Sequence, residues 1–161
     1  MNSRDWLFIS ALAMGIGLLY LSPYARVPKD VIDDPAHNTY TIHRDPGGNV
    51  KEYFDRAVDF DKRGTRVIID GECDSACNMY TADRGVCVTD NAVLAFHAVR
   101  DNIGTVDHPK YGPINQRATD QMLNQLYPPK IRDWVISQGG LTAELKYLSA
   151  PEVFKYLPKC S

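Results

Sequence analysis

Three short stretches carry residue types that could do chemistry together. In GECDSACNMY, residues 71–80, Ser75 stands between Cys73 and Cys77. His97 follows in the run VLAFHAV, and Gly47 with Gly48 closes RDPGG. A serine hydroxyl becomes a nucleophile when a neighbouring imidazole takes its proton near neutral pH. A helix N-terminus at the serine aims backbone N–H groups at developing negative charge, and a glycine turn lets another amide approach the same oxygen. Taken singly, each feature has a plain reading: Ser75 as a helix N-cap, His97 as a core histidine, DPGG as a tight turn. What joins them is placement, because each falls at the end of a strand-like run.

The elements that must position them can be read from periodicity. TYTIH, residues 39–43, alternates Tyr40 and Ile42 on one face and predicts a short strand ending at the glycine turn. VKEYFDRAVDFDKRG then sets Val50, Tyr53, Phe54, Ala57, Val58 and Asp61 at helical spacing, with Gly64 as the stop. TRVIID, residues 65–70, is a β-branched run suited to a buried parallel strand, and SACNMYTADRG predicts a short helix. VCVTDNAVLAFHAV supplies one or two more strands. Alternating strands and helices predict an α/β fold with a parallel sheet and crossover helices, in which active groups collect at the carboxyl ends of strands. Beyond a polar Gly- and Pro-punctuated segment, Arg100 to Gln116, the remaining stretches RATDQMLNQLY, PKIRDWVISQGG and APEVFKYL read as helical.

Composition narrows the function classes. The 161 residues suit one domain with a sizeable core, and a net charge of −2 without a basic block argues against nucleic acid as a partner. Trp6 to Leu21 is a charge-free apolar run, about 24 Å long if helical. It reads as a signal anchor, with a cleaved signal peptide as the alternative. The expected organisation is an anchor or signal over 1–25, a Pro- and Asp-rich linker over 26–38, and a domain over 39–161. Four cysteines downstream of an export-like segment favour an oxidising compartment.

The words RDPGGNVKEYFDRA, VIIDGECDSACNMYTADRGVCVTDNAVLAFHA and YLSAPEVFKYL occur in one order over most of residues 39–157. In them the chain resembles the Clp protease proteolytic subunit and its relatives of the ClpP/crotonase fold, and more closely the exported, cysteine-containing ClpP-like proteins of bacteria. The resemblance implies Ser75 as nucleophile, His97 as general base, and the Gly48 and Ala76 amides as an oxyanion hole. No cofactor and no metal are expected. At the position of the family's aspartate this chain has Leu145; Glu144, one residue away, and Asp101, just after His97, are the carboxylates considered as its substitute, Glu144 being preferred.

Four cysteines allow three pairings. The expected bond joins Cys77 on the serine-bearing helix to Cys87 on the next strand, with Cys73 and Cys160 paired together or reduced. A zinc site from Cys73, Cys77, Cys87 and His97 is the minor reading, because that spacing is not a recognised zinc pattern. The expected function is a membrane-anchored or periplasmic serine peptidase or acyl hydrolase acting on peptides or unfolded protein. A homo-oligomer is compatible with the resemblance, and no ATPase partner is expected outside the cytoplasm. The alternative is a non-catalytic module that keeps the fold and binds peptide or protein in the same place.

Overall fold

The computed structural model describes residues 29–101 and 112–161. The expected anchor and the first three residues of the linker, 26–28, lie outside the described residues, among which no helix is long and apolar enough to cross a membrane. The described chain is mixed α/β, built on a six-stranded sheet in the order β1-β2-β3-β5-β6, with β4 also paired to β3. The strands are β1 (Asp30–Asp34), β2 (Thr39–Asp45), β3 (Arg66–Asp74), β4 (Cys87–Val88), β5 (Val93–Phe96) and β6 (Lys146–Ser149). β3 runs parallel to β2, β4 and β5, while β1 and β6 are antiparallel edges.

Both edge strands depart from the sequence reading. β1 falls in the stretch read as linker; its DVIDD is mostly exposed, and an edge strand needs a partner on one side only, so charge is tolerated there. β6 falls between PKIRDWVISQGG and APEVFKYL, the two stretches read as helical on either side of it. Its four residues are too few to carry a clear period of either kind, and Leu148 alone among them is buried.

Helix α1 (Val50–Arg63) follows β2, capped by Asn49, whose side chain accepts the Lys51 and Glu52 amides. It ends at Gly64, as the sequence predicts. Its buried residues are Tyr53 and Phe60, whereas Phe54 is 43% exposed. Phe60 packs on Tyr40 with ring centroids 4.8 Å apart, and both meet Tyr80. Residues Ser75–Ala82 form a 3-10 helix after β3. Further along lie α2 (Gln116–Gln121), which widens into a π-helical turn over Met122–Leu126, and α3 (Pro129–Ser137). Trp134 of α3 and Tyr127 pack on Phe96 of β5. The stretch APEVFKYL gives a single 3-10 turn, Glu152–Lys155.

One irregularity in the sheet bears on the site. Ile42 pairs with Ile69, but Arg44 pairs with Glu72, so β3 carries one extra residue opposite His43. Gly71 makes this bulge possible: a Cβ on it would stand 2.0 Å from the His43 carbonyl oxygen. Bulges bend and re-aim the strand that follows, here Cys73 and Asp74 leading to Ser75.

The disulfides correct the expected Cys77–Cys87 pairing. Cys73 bonds to Cys77, and Cys87 bonds to Cys160. Register supplies the reason. Cys87 on β4 is level with Ile68, whereas Cys77 lies against Cys73, five residues farther along β3. Five strand residues span about 17 Å, well beyond the reach of a disulfide.

Candidate functional site

Ser75 begins the 3-10 helix where β3 ends, with a left-handed backbone at φ 54°. Such a conformation in a serine is strained, and it turns the side chain out of the strand path. The β2–α1 turn packs directly against it. Gly47, at φ 77°, lies so close that a Cβ there would stand 2.5 Å from the Asp74 carbonyl oxygen, 2.9 Å from Ser75 Cβ and 3.0 Å from the Ala76 nitrogen. The glycine turn, the serine and the Ala76 backbone therefore converge. Gly48 follows in the same turn, next to the Tyr53 ring.

A buried carboxylate holds that turn. Asp45 has no exposed side-chain surface, and its Oδ1 accepts the Gly47 N–H at 2.9 Å. The Tyr53 hydroxyl donates to the same oxygen, and Lys29 Nζ lies 3.3 Å away. Burial, with the neighbouring Asp45 carboxylate, raises the Tyr53 phenol far above its ordinary range, so it stays a donor. Sequence reading missed Asp45. The signal was present, since Asp two residues before a glycine commonly accepts that residue's amide in a turn.

Asp74, just before the serine, sits in a different electrostatic setting. Burial, reinforced by Glu72 and opposed by Arg44, pushes its carboxyl up to about 7. Its Oδ1 is buried without a hydrogen-bond partner among the described residues. Arg44 instead meets Glu72, at 3.6 Å across β2 and β3.

His97 lies one residue past β5. Asp74 is in register with Ala95, so Ser75 and His97 leave adjacent parallel strands at their carboxyl ends. Asn78 of the 3-10 helix ties the two sides together by donating Nδ2–H to the Ala95 carbonyl at 2.7 Å. No hydrogen bond joins Ser75 Oγ to His97 among the described residues. His97 Nδ1 instead lies 2.7 Å from the Ala98 carbonyl oxygen. A carbonyl can only accept, so Nδ1 is the donor, and in the neutral imidazole Nε2 keeps its lone pair.

No carboxylate takes that orienting place among the described residues. Asp101 Oδ1 accepts from Asn115 Nδ2 at 2.8 Å. Glu144 is exposed, and its backbone amide bonds Thr142 Oγ1. Phe96 pairs with Lys146, and the Ala98 amide donates to the Thr142 carbonyl, so residues 143–145 face His97 across a widened end of the β5–β6 ladder. Leu145, in that widened end, is 44% exposed. All four cysteines are in disulfides, and no group of three His, Cys, Asp or Glu is placed to hold a metal among the described residues.

Neither a protein-family model nor a curated protein matches the chain.

Proposed function

We propose that the protein is a serine acyl hydrolase, peptidase-like, on the plan of the exported ClpP-like proteins it resembles in sequence. The observation that carries the reading is Ser75: a non-glycine residue at φ 54°, at the carboxyl end of a parallel strand, with a glycine turn pressed against it. A merely capping serine has no need of that backbone.

In this reading Ser75 Oγ attacks an acyl carbonyl while His97 Nε2 takes the hydroxyl proton. The Gly48 and Ala76 amides receive the oxyanion, with Asp45 fixing the glycine turn from behind. His97 then returns the proton to the leaving amine or alcohol, and water repeats the sequence on the acyl-serine. The Ala98 carbonyl orients the imidazole but, being neutral, stabilises the imidazolium less than an aspartate would. A slow enzyme acting on peptides or already unfolded protein follows. The two disulfides suit a domain outside the cytoplasm, in the bacterial periplasm, carried there by the Trp6–Leu21 segment.

A fluorophosphonate probe tests this: modification of Ser75 that is lost in Ser75→Ala is expected. The lack of a carboxylate at His97 among the described residues, with Leu145 at the family's acid position, favours a second reading, a non-catalytic ClpP-like module that binds peptide at the same strand ends. Folded protein that stays unmodified from pH 6 to 9 would select it.

A further inference from the structure

A left-handed serine persists only where its surroundings over-determine it. One constraint on Ser75 is the glycine turn; the other is covalent. Cys73 and Cys77, two residues to either side, are both fully buried and joined by a disulfide with Cα atoms 5.4 Å apart. An extended chain over the same four steps would span about 13 Å. The anchors at both ends are firm. Cys73 is registered between Asp45 of β2 and Leu94 of β5, and Cys77, within the 3-10 helix, is part of the core. Ser75 is thus the apex of a five-residue ring.

Stabilisation is the poorer explanation for this bond. Loop-closure entropy grows with the length of chain enclosed, and a sequence separation of 4 gains little beside the 73 spanned by Cys87–Cys160. That longer bond is also remote. Cys87 is level with Ile68, six residues before Asp74, or about 20 Å along the strand. The molecule therefore carries one disulfide placed to hold the chain and one placed to hold the serine.

We infer that the Cys73–Cys77 disulfide is a positioning device for Ser75, fixing the left-handed turn on which the hydroxyl and the Ala76 amide converge. The inference rests on the reading of Ser75 as a nucleophile. The sulfurs touch no reacting atom; they act through the backbone between them.

The test compares two double variants of the full chain, Cys73→Ala/Cys77→Ala and Cys87→Ala/Cys160→Ala, by fluorophosphonate modification, thermal unfolding and amide hydrogen exchange. The first pair is expected to lower the maximal rate of Ser75 modification by about tenfold or more, as misplacement of a reacting group does. The probe's half-saturation concentration should stay within about twofold, since binding is not what the turn controls. Exchange of the amides of residues 74–77 should accelerate. The second pair should lower Tm further than the first yet keep the modification rate within about twofold. A first pair that is modified and exchanges like the wild type would overturn the inference. If the wild type is itself unmodified, the hydrolase reading falls, and exchange alone decides the clamp: unchanged protection at 74–77 overturns it. Should the alanine pair not fold, Cys73→Val/Cys77→Ala refills the core. Failure of both, with the second pair folded, would also overturn it, because the bond would then serve folding rather than the turn.

Discussion

On the β2–β3 side of the site, Ser75 is held by a disulfide, a glycine turn and the buried Asp45 behind that turn. On the β5–β6 side, His97 is oriented by one neutral carbonyl, while Glu144 and Leu145 stand exposed near it. In the proposed reading, the half that would receive the oxyanion is therefore pre-organised, and among the described residues the half that would supply the base is not. Electrostatic pre-organisation is usually the larger contribution to such chemistry. If Ser75 is the nucleophile, the difference puts the weakness in proton transfer rather than in stabilising the oxyanion.

The largest expected effect tests the organised half. Gly47→Ala places a Cβ against the Asp74 carbonyl, Ser75 Cβ and the Ala76 nitrogen. Displacing the turn should slow fluorophosphonate modification by roughly 10²–10³, comparable to losing one oxyanion donor. Gly139→Ala also sits at positive φ but meets nothing within 4 Å, and it should leave that rate unchanged. Equal rates for the two variants would show that the turn is not part of the site.

Next in size is Asp45→Ala, which strands the Tyr53 hydroxyl, Lys29 and the Gly47 amide. A loss of about 2–3 kcal/mol in urea unfolding is expected, with Asp45→Asn milder because it keeps the acceptor oxygen. An Asn variant as damaged as the Ala variant would mean that charge, rather than the turn hydrogen bond, is what Asp45 supplies.

The looser half yields a gain. Leu145→Asp puts a carboxylate in the widened ladder facing His97, at an exposed position where the loss of leucine costs little. Supplying an orienting acid should raise the rate of Ser75 modification by about tenfold, or roughly 1.4 kcal/mol, part of what a complete triad provides. No gain would mean that His97 is already as well oriented as this site allows, and the contrast between the halves would lose its force.

The smallest effect is in pH dependence. The Asp74 carboxyl is raised by burial to about 7 in the folded protein, so the unfolded chain ionises it first. Stability is then full below about pH 4 and falls as pH rises toward 7. Because Asp74 is partly exposed, the loss should be about 1 kcal/mol, and Asp74→Asn should flatten that slope. A slope unchanged by the substitution would assign it to another group.

The sequence was legible where one residue type answers to one physical demand. β3 could be read because a buried parallel strand wants an uninterrupted β-branched run, and α1 because a helical period runs up to a stop at Gly64. Its face was read less well. Phe54 fits the same period as Tyr53, yet the core takes Phe60 instead, a choice set by where Tyr40 and Tyr80 lie. The strand-end placement of Ser75, His97 and the glycine pair was legible for the same local reasons. The disulfides were not, because pairing depends on register between strands, and register is a property of the assembled sheet. Asp45 was hidden by its type: a carboxylate reads as surface until the hydroxyl and amide that bury it are known.

The bulge at Gly71 has a consequence for how this chain can change over generations. A clash with a side chain can be relieved by a second substitution that trims the neighbour, but Gly71 faces the carbonyl of His43, which every residue at position 43 would carry. The same holds at Gly47, opposed by the Asp74 carbonyl. Neither position has a compensating partner to drift with. Glycine there should remain fixed for as long as the fold keeps this register, even in descendants that lose the serine, and a record of such descendants would keep both glycines after the serine had gone.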